Sequence, residues 1–339
     1  MTTGIKNTRN RTLVLLCSIL IVSSANAGGS IDSITDANIL KENRVPLGNI
    51  NGSTGNVFKK GIFRVVLKDV YFKADTIYDG NTKVKNILNK ELKLNASMFI
   101  ARYGLGNGFD VRLVMPIISK KLSLTIPQNY KVAKLSNSGI GDISIIGRYS
   151  LLNQKKGDPL FLSIGAGIKV PTGKTDKKFK TPKGNLAVPQ LQNGTGSVDF
   201  IIEAGATKIL KNSRIDSSIV YKVAGDGDNN YKFGNILKWN IGYSYALTNA
   251  FDLQLELDGI HSSKHKQNGK KLADMGGTKI YLTPGVHYRF TKHFDVSFGY
   301  AFNVYTNLNF SKKRDRDSSI QIGGLCEKGR FITRVGYTF

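Results

Sequence analysis

Apolar and polar residues alternate with a period of two through most of this chain. The last eleven residues, 329–339, place Phe331 and Phe339 on one face and Arg330 and Arg334 on the other. Since successive side chains of a β-strand point to opposite faces, this period predicts strands. About twelve such segments follow one another, near 61–73, 90–103, 109–121, 139–152, 159–171, 197–210, 213–224, 232–247, 250–262, 277–290, 293–304 and 329–339. The fold class is therefore predicted to be all-β.

The connections between these segments sort by length. The short ones follow even-numbered strands, and they are Gly104–Gly108, Asn153–Asp158, Lys211–Asn212, Thr248–Asn249 and Thr291–Lys292. Most connections after odd-numbered strands are long. This alternation predicts a transmembrane antiparallel up-and-down β-barrel of about twelve strands, with ten or fourteen as alternatives. Because a sheet in hydrocarbon must leave no unpaired edge, the closing strand 329–339 should pair with the first strand near 61–73.

The N-terminal sequence indicates the cellular compartment of the protein. Residues 1–27 have a basic start, an apolar run and the small-residue motif Ala25-Asn26-Ala27, which is the layout of a secretory signal peptide. Residues 28–60 are polar and lack a period, so they are either an irregular periplasmic segment or a partial plug in the barrel mouth. Residues 61–339 are predicted to form the barrel. These features predict the outer membrane of a Gram-negative bacterium, with both termini in the periplasm.

Composition is compatible with a barrel and limits the partners. Apolar residues make up 40% of the chain and only 8 residues are proline, which suits strands that need apolar side chains at alternate positions. The formal net charge is +25, but the basic residues are scattered and the chain is exported, so no nucleic-acid partner is expected. Outer-membrane lipid, lipopolysaccharide phosphates or an anionic solute are the better partners for this charge. After cleavage Cys326 is the one remaining cysteine, which excludes an intrachain disulfide.

Charged residues of both signs fall on the polar side of the strands. The candidates for the lumen lining are Arg112, Asp142, Arg148, Asp199, Glu203, Lys238, Asp252, Glu256, Asp258, Arg289, Asp295 and Arg334. Lys93 is expected on the same side. The functional interpretation is a pore lining that selects or orients a solute. The alternative is an ion-pair network that fills and rigidifies a narrow barrel, in which Asp252, Glu256 or Asp295 would pair with Arg330 and Arg334.

Basic loops and the aromatic end suggest two kinds of contact. The candidates for lipopolysaccharide or anion contact are Lys174, Lys177, Lys178, Lys264, Lys266, Lys270, Lys312 and Lys313. They could neutralise lipid phosphates or attract an anionic solute, or they could be ordinary solvated loops. The terminal residues Tyr337 and Phe339 resemble the closing strand of outer-membrane barrels, and are the predicted assembly signal for the barrel assembly machinery.

The sequence gives little support for catalytic activity. A lipase-like pairing of His261 or His287 with a serine can be imagined, but no motif accompanies it, so the chain is predicted not to be an enzyme. No cofactor is expected. The oxygen-rich turn Gly225–Asn230 lacks the spacing and the closing Glu of a calcium-binding loop, so no metal site is expected either.

Several segments in series resemble one known family. They are SGIGDISIIGRYSLL (138–152), LFLSIGAGIKVPTGKTD (160–176), LQNGTGSVDF (191–200), GDGDNNYKFGN (225–235), GGTKIYLTPGVHYRF (276–290), NVYTNLN (303–309) and the terminal Phe339. They are similar to outer-membrane transporters related to meta-pathway phenol degradation, which are relatives of the hydrophobic-compound channels. The resemblance implies passive uptake of small hydrophobic or aromatic molecules through a barrel. The alternative is a structural or surface-interaction barrel with a plugged lumen, whose basic loops bind lipopolysaccharide or an anionic partner.

Overall fold

A closed antiparallel barrel accounts for most of the chain. The computed structural model describes residues 45–125, 132–181, 184–311 and 322–339. Its strands within these residues are β1 (Phe63–Asp79), β2 (Glu91–Gly106), β3 (Phe109–Thr125), β4 (Val132–Ile140 and Ile143–Leu152), β5 (Phe161–Val170), β6 (Asp199–Ile209), β7 (Ser213–Val223), β8 (Ile236–Ala246), β9 (Phe251–Ser262), β10 (Gly277–Arg289), β11 (Phe294–Leu308) and β12 (Leu325–Thr338). Each strand pairs with the next, and β12 pairs with β1. The predicted twelve-stranded barrel and the pairing of the closing strand are confirmed.

Strand β4 is one strand with a break. Its two parts pair with the two halves of β3, one at residues 117–125 and the other at 109–114. The break lies opposite Pro116, which has no N–H to donate, although its carbonyl accepts a 2.8 Å bond from Gly141 N. Both parts therefore form one wall of the barrel.

Short elements occupy some of the connections. They are the strands Thr82–Val84, Lys178–Thr181, Gly184–Ala187, Tyr231–Lys232, Lys266–Gln267 and Lys270–Lys271, and the single-turn 3₁₀ helices Gln154–Lys156, Pro189–Leu191 and Asp228–Asn230. Across the described residues, no helix has the length and apolar character that a membrane crossing requires. The predicted signal peptide, residues 28–44, Lys312 and Lys313 lie outside the described residues, and the predicted division of the chain at residues 27 and 60 stays a prediction.

The two ends of the barrel differ. At the turn end the connections are short, as between β2 and β3, where two residues suffice. At the loop end they are longer, and 171–198 joins β5 to β6. Strands β1 and β3 continue to Asp79 and Thr125, beyond the predicted ends at 73 and 121.

The wall formed by β1–β4 reverses its polarity half-way along the strands. Towards the turn end its outward side chains are apolar and exposed, as with Leu67 and Ile117. Towards the loop end Leu92 and Leu122 are buried inside, whereas Lys93 points outward and pairs with Glu91 at 3.2 Å. The expectation that Lys93 faces the lumen is therefore wrong. A period of two defines two faces but does not say which face is inside.

The reversal indicates where the apolar belt ends. On the outside of β3 the last apolar residue is Ile117, and Ser119 follows it. From Ser119 to Thr125 a tilted strand rises by about 15 Å along the barrel axis. This upper part of the wall carries polar residues outside and apolar residues inside, like the sheet of a water-soluble protein.

The loop-end mouth is filled by an apolar cluster. Phe179, Val188 and Leu191 of the β5–β6 connection pack against inward residues such as Leu122 and Leu135. Lys120 Nζ donates to the carbonyls of Gln190 at 3.0 Å and Gln192 at 2.5 Å. These contacts hold the connection inside the mouth.

Aromatic residues surround the turn end. The exposed members are Tyr103, Phe109, Tyr149, Tyr245, Tyr288, Phe290, Tyr337 and Phe339. At the seam between β12 and β1, the Phe339 ring stacks on Phe63 with centroids 5.4 Å apart, and Phe339 N donates to Phe63 O at 2.8 Å. Such a girdle is typical of a membrane interface. The two residues of the predicted assembly signal therefore lie where the barrel closes.

Candidate functional site

A stretch of irregular backbone lies inside the barrel, and we call residues 45–60 the inner segment. At the turn end, Val45 O accepts a 3.0 Å bond from Arg289 Nη2. Half-way along the lumen, Asn51 Nδ2 donates to Asp258 Oδ2 at 3.1 Å. The chain then returns to the turn end, where Phe58 N donates to Asp110 Oδ2 at 2.9 Å. The inner segment therefore enters, turns at mid-height and leaves on the same side, filling the turn-end half of the lumen.

Side chains of the barrel satisfy the backbone of this segment. Glu256 Oε1 accepts from Ile50 N at 2.5 Å, and Arg334 Nη1 donates to Asn49 O at 2.7 Å. Arg102 Nη2 donates to Asn56 O at 2.5 Å. A buried backbone without helix or sheet bonds needs such partners. Several charged residues of the lumen thus serve as anchors for the inner segment.

Close contact with β6 depends on two glycines. Gly55 N donates to Thr207 Oγ1 at 2.8 Å, and a Cβ on Gly55 would lie 2.7 Å from the carbonyl carbon of Ala206. A Cβ on Gly205 would lie 2.8 Å from Thr54 O. Larger residues at either position would push the inner segment off the wall.

An ion-pair group lies on the inner wall of β3–β6 beside the inner segment. Arg112 on β3 and Arg148 on β4 both reach Glu203 on β6, at 2.5 and 3.1 Å. Strands β3 and β4 are neighbours and β5 separates them from β6, so the bonds pass over Gly165 on the inner face of β5. Arg112 Nη1 also donates to Ser53 Oγ of the inner segment at 3.0 Å. Arg148 and Glu203 are almost fully buried here, where loss of one partner would leave an uncompensated charge.

At the loop end the acidic candidates hold the β5–β6 connection. Lys169 Nζ lies 2.7 Å from Asp142 and 3.2 Å from Asp199. Asp142 also accepts from the backbone N–H groups of Gly173 at 3.1 Å and Thr195 at 3.0 Å. Asp142 and Asp199 therefore tie both ends of this connection to the barrel wall.

At the turn end a cavity of about 520 Å³ opens beside Leu47, Arg64, Arg289 and Asp295. Arg64 Nη2 on β1 donates to both carboxylate oxygens of Asp295, at 2.8 and 2.6 Å. Leu47 N donates to Asp252 at 3.0 Å.

The pairings expected for two arginines of the closing strand are replaced by others. Arg330 binds Glu327 at 2.5 Å, and Arg334 donates to the backbone of the inner segment. Asp295, the expected partner of either, binds Arg64 instead. Register across the sheet, which decides these pairs, is not visible in a single strand's pattern.

One inner wall is apolar and faces a polar one. On β2 and β3, Ala96, Met98, Ile100 and Val114 point inward and are only half-buried. Strand β8 lies six positions further round the ring of twelve, and so faces β2. There Lys238 points into the lumen and is exposed, and among the described residues it forms no ion pair. The space between these walls has one apolar and one polar side.

The candidate lysines of the loops are placed as follows. Lys174, Lys177 and Lys178 are exposed in the β5–β6 connection, and Lys264 and Lys270 are exposed between β9 and β10. Lys266 is half-buried in a short strand opposite Lys232. Whether any of them contacts lipopolysaccharide stays a prediction.

The two candidate histidines lie on opposite faces of the wall. His287 is buried inside, with Nδ1 2.6 Å from Ser297 Oγ and Nε2 bonded to Gln254 Oε1. His261 is exposed at the loop end of β9, with Nδ1 2.8 Å from Thr278 Oγ1. Within the described part of the chain, no three His, Cys, Asp or Glu side chains meet in a way that could hold a metal ion.

A third histidine links three loops. Gln190 Nε2 lies 2.9 Å from Tyr231 Oη, which lies 2.7 Å from His265 Nδ1. Gln190 Nε2 is the donor to Tyr231 Oη, and a neutral His265 ring can accept from the Tyr231 hydroxyl at Nδ1. Burial, followed by the charge of Lys222, lowers the pKa of His265 to about 4.

This arrangement predicts that acid weakens the contact between the three loops. The pKa of His265 is depressed in the folded state, so its contribution is complete above the unfolded value near 6.5 and is lost as pH falls towards 4. The loss should reach about 2 to 3 kcal/mol. The protection factor of the backbone amides of 265–272, which is corrected for the intrinsic slowing of exchange in acid, should fall between pH 7 and pH 4. His265→Phe should remove this pH dependence of the protection factor and His261→Gln should keep it; an unchanged protection factor in the wild-type chain would contradict the prediction.

Comparisons with known proteins agree with the barrel. Residues 74–311 match the family described as "Putative MetA-pathway of phenol degradation". The COG4313 outer membrane channel from Pseudomonas putida F1 superposes with a TM-score of 0.64 at 14% identity, over 86% of this chain and 100% of that chain. Looser likenesses are the NanC porin (TM-score 0.41, 9% identity, 80% and 98%) and the Ralstonia pickettii toluene transporter TbuX (0.40, 11%, 83% and 90%). No curated protein matches the chain by sequence.

Proposed function

This chain belongs to the MetA-pathway phenol-degradation family, and on that premise we propose that it is an outer-membrane channel for passive uptake of small apolar or aromatic molecules. The turn end faces the periplasm and the loop end faces outward, as short turns and long loops do in such barrels. In this proposal the protein acts as a channel and has no catalytic role. The barrel fold shared with the COG4313 outer membrane channel supports this proposal.

The observation that carries the proposal is the half-buried apolar wall inside the barrel. Lumens of membrane barrels are usually polar, because their inward side chains meet water. Here Met98, Ile100 and Val114 present apolar surface to the lumen, opposite Lys238 and Asn240 on β8. A ring with one hydroxyl can place its apolar face on one wall and its polar atom towards the other.

The inner segment acts as the gate in this proposal. It fills the turn-end half of the lumen, and many of its bonds join barrel side chains to its backbone, as from Arg334 to Asn49 O. Water entering the lumen can replace bonds of this kind, because both partners are strongly polar. Opening would move residues 45–60 and leave the barrel intact.

Flux measurements test the channel. Apolar solutes cross plain lipid unaided, so the liposomes should carry lipopolysaccharide in the outer leaflet. We expect the protein to accelerate phenol entry over protein-free liposomes, and to accelerate a sugar of similar size much less. Met98→Asn with Ile100→Asn should lower phenol flux about tenfold, because two polar groups interrupt the apolar path. Ser119→Asn with Ser123→Asn, on the outer face of β3 and away from the lumen, is the matched control and should change it little.

The alternative is a structural or surface-interaction barrel. Its support is the filled lumen, with the inner segment at one end and the β5–β6 connection at the other. In that case neither phenol nor any other small solute would cross above the protein-free rate. Such a result would overturn the channel, and would leave the outer surface as the working part of the molecule.

A further inference from the structure

Five lysines lie side by side on the outside of the barrel, on five adjacent strands. Lys73 on β1 is directly opposite Lys93 on β2, and Lys93 is directly opposite Lys121 on β3. Lys134 on β4 is two residues along from the partner of Lys121, and Lys328 on β12 adjoins Lys73 across the seam. We call these five residues the lysine row. None of them belongs to the basic loops.

All five side chains are exposed on the outer face. They alternate with inward residues such as Leu92, Leu122 and Leu135, which are buried in the loop-end cluster. The row lies just above the apolar belt, because Ile117 is four residues below Lys121 on the same face. Along a tilted strand, four residues correspond to about 10 Å of height. That is the height of lipid head groups.

The row has too few negative partners in the protein. Glu91 pairs with Lys73 at 2.9 Å and with Lys93 at 3.2 Å, and Asp75 pairs with Lys73 at 3.2 Å. Among the described residues, no ion pair reaches Lys121, Lys134 or Lys328. Like charges directly opposite on neighbouring strands destabilise a sheet. The arrangement therefore calls for an external anion along this face.

We propose that the lysine row binds the phosphate groups of a glycolipid in the outer leaflet. The row is extended along a convex surface, which suits a lipid layer lying against the wall and not a solute entering the lumen. Lysine is a suitable partner, since it binds phosphate as a point charge without a fixed geometry. This inference rests on the proposed outer-membrane location but does not depend on transport.

Binding to lipopolysaccharide micelles tests the row. The double variant Lys93→Gln with Lys121→Gln should weaken the binding of the folded protein in detergent by about tenfold to thirtyfold, since each basic residue near an anionic surface contributes about a factor of five. Lys156→Gln with Lys211→Gln removes the same charge at the turn end and should leave affinity unchanged. Lys93→Arg with Lys121→Arg should keep the affinity and shows that the positions tolerate change.

Two further arms identify the ligand. Wild-type protein should bind dephosphorylated lipopolysaccharide more weakly than the double variant binds the intact form, because the double variant keeps three of the five lysines. Inorganic phosphate alone should compete only at concentrations where salt does so as well. Equal affinity of wild type and the double Gln variant for intact lipopolysaccharide would overturn the proposal, and so would equal binding of the two glycolipids. Phenol flux is measured separately, so failure of one proposal leaves the other standing.

Discussion

A chain that lacks residues 45–58 should conduct ions better in planar bilayers than the intact chain, because only the β5–β6 connection at the loop-end mouth would then narrow the lumen. The inner segment fills the turn-end half of the lumen, and a barrel of twelve strands is too wide for its own side chains to close. We expect the single-channel conductance to rise about tenfold or more above that of the intact chain. Solute selectivity should fall at the same time, because water would enter beside the apolar wall.

The barrel should survive this deletion. The groups that lose their partners are charged, as with Arg148, Glu256 and Arg334, and they would become hydrated in a water-filled lumen. Hydration removes the penalty that a buried unpaired charge would otherwise carry. Strand pairing between β1 and β12 begins at Arg64 and so does not involve the deleted residues.

A cross-link provides the opposite test. Ser53 N donates to Ser218 Oγ at 3.1 Å, which brings the inner segment against β7, so Ser53→Cys with Ser218→Cys is the pair to test for disulfide formation. The native Cys326 is fully buried and should not interfere. Oxidation should hold the inner segment in place and suppress phenol flux, and reduction should restore it. An intact chain that conducts equally in the oxidised and reduced forms would contradict gating by the inner segment.

Deleting Phe339 should impair assembly more than any other single loss at the surface. Its ring stacks on Phe63 and contacts Tyr337 at 4.7 Å, and its N–H binds the first strand. These contacts close the sheet, and an unclosed sheet would leave unpaired backbone groups in lipid. We expect the folded fraction in cells to fall about tenfold, measured by heat-dependent mobility on gels.

Phe302→Ala is the matched control for this deletion. Phe302 is an exposed ring on the outer face of β11, and its backbone pairs within the sheet. Its loss removes similar aromatic surface without touching the seam. Full assembly of the Phe339 deletion, or equal losses in both variants, would show that closure does not depend on the terminal ring.

Strand positions could be predicted from the sequence because period two is a local property. In β9, apolar and acidic residues alternate so regularly that its bounds were within one residue of those observed. The predicted end of β3 is too early and the predicted start of β4 too late, because the polar residues Ser123, Lys134 and Ser136 fall in the predicted loop 122–138. In a protruding wall these polar residues simply face water.

The path of the inner segment could not be predicted. Its backbone is bonded to side chains on many strands, and such contacts impose no period on residues 45–60. Arg64 and Arg102 were missed for a related reason. Each lies on the inward face of its strand, at the turn end, among apolar neighbours of the same face such as Val66 and Ile100. Arg64 and Lys68 occupy the same face of β1, and two charges on one face indicate that this face points into the lumen.

The lysine row was missed because it exists only in three dimensions. Lys73, Lys93 and Lys121 are separated by roughly twenty or more residues in sequence, and none is part of a basic run. Register brings them together. By contrast, the loop lysines can be recognised from the sequence, because they are clustered along the chain.

Because the polarity of β1–β4 reverses along the strands, the lower part of this wall is stabilised in lipid and the upper part in water. Between the aromatic girdle and Ile117 the apolar outer face of the wall contacts the lipid hydrocarbon, which urea does not dissolve. Above Ser119 it is held by burial of Leu92, Leu122 and Leu135 away from water, a term that urea weakens. In urea, the part of the wall above Ser119 should therefore unfold first, as a separate step, while the part below Ile117 stays folded. A solute-sized opening at the outer mouth could then be obtained with mild denaturant alone.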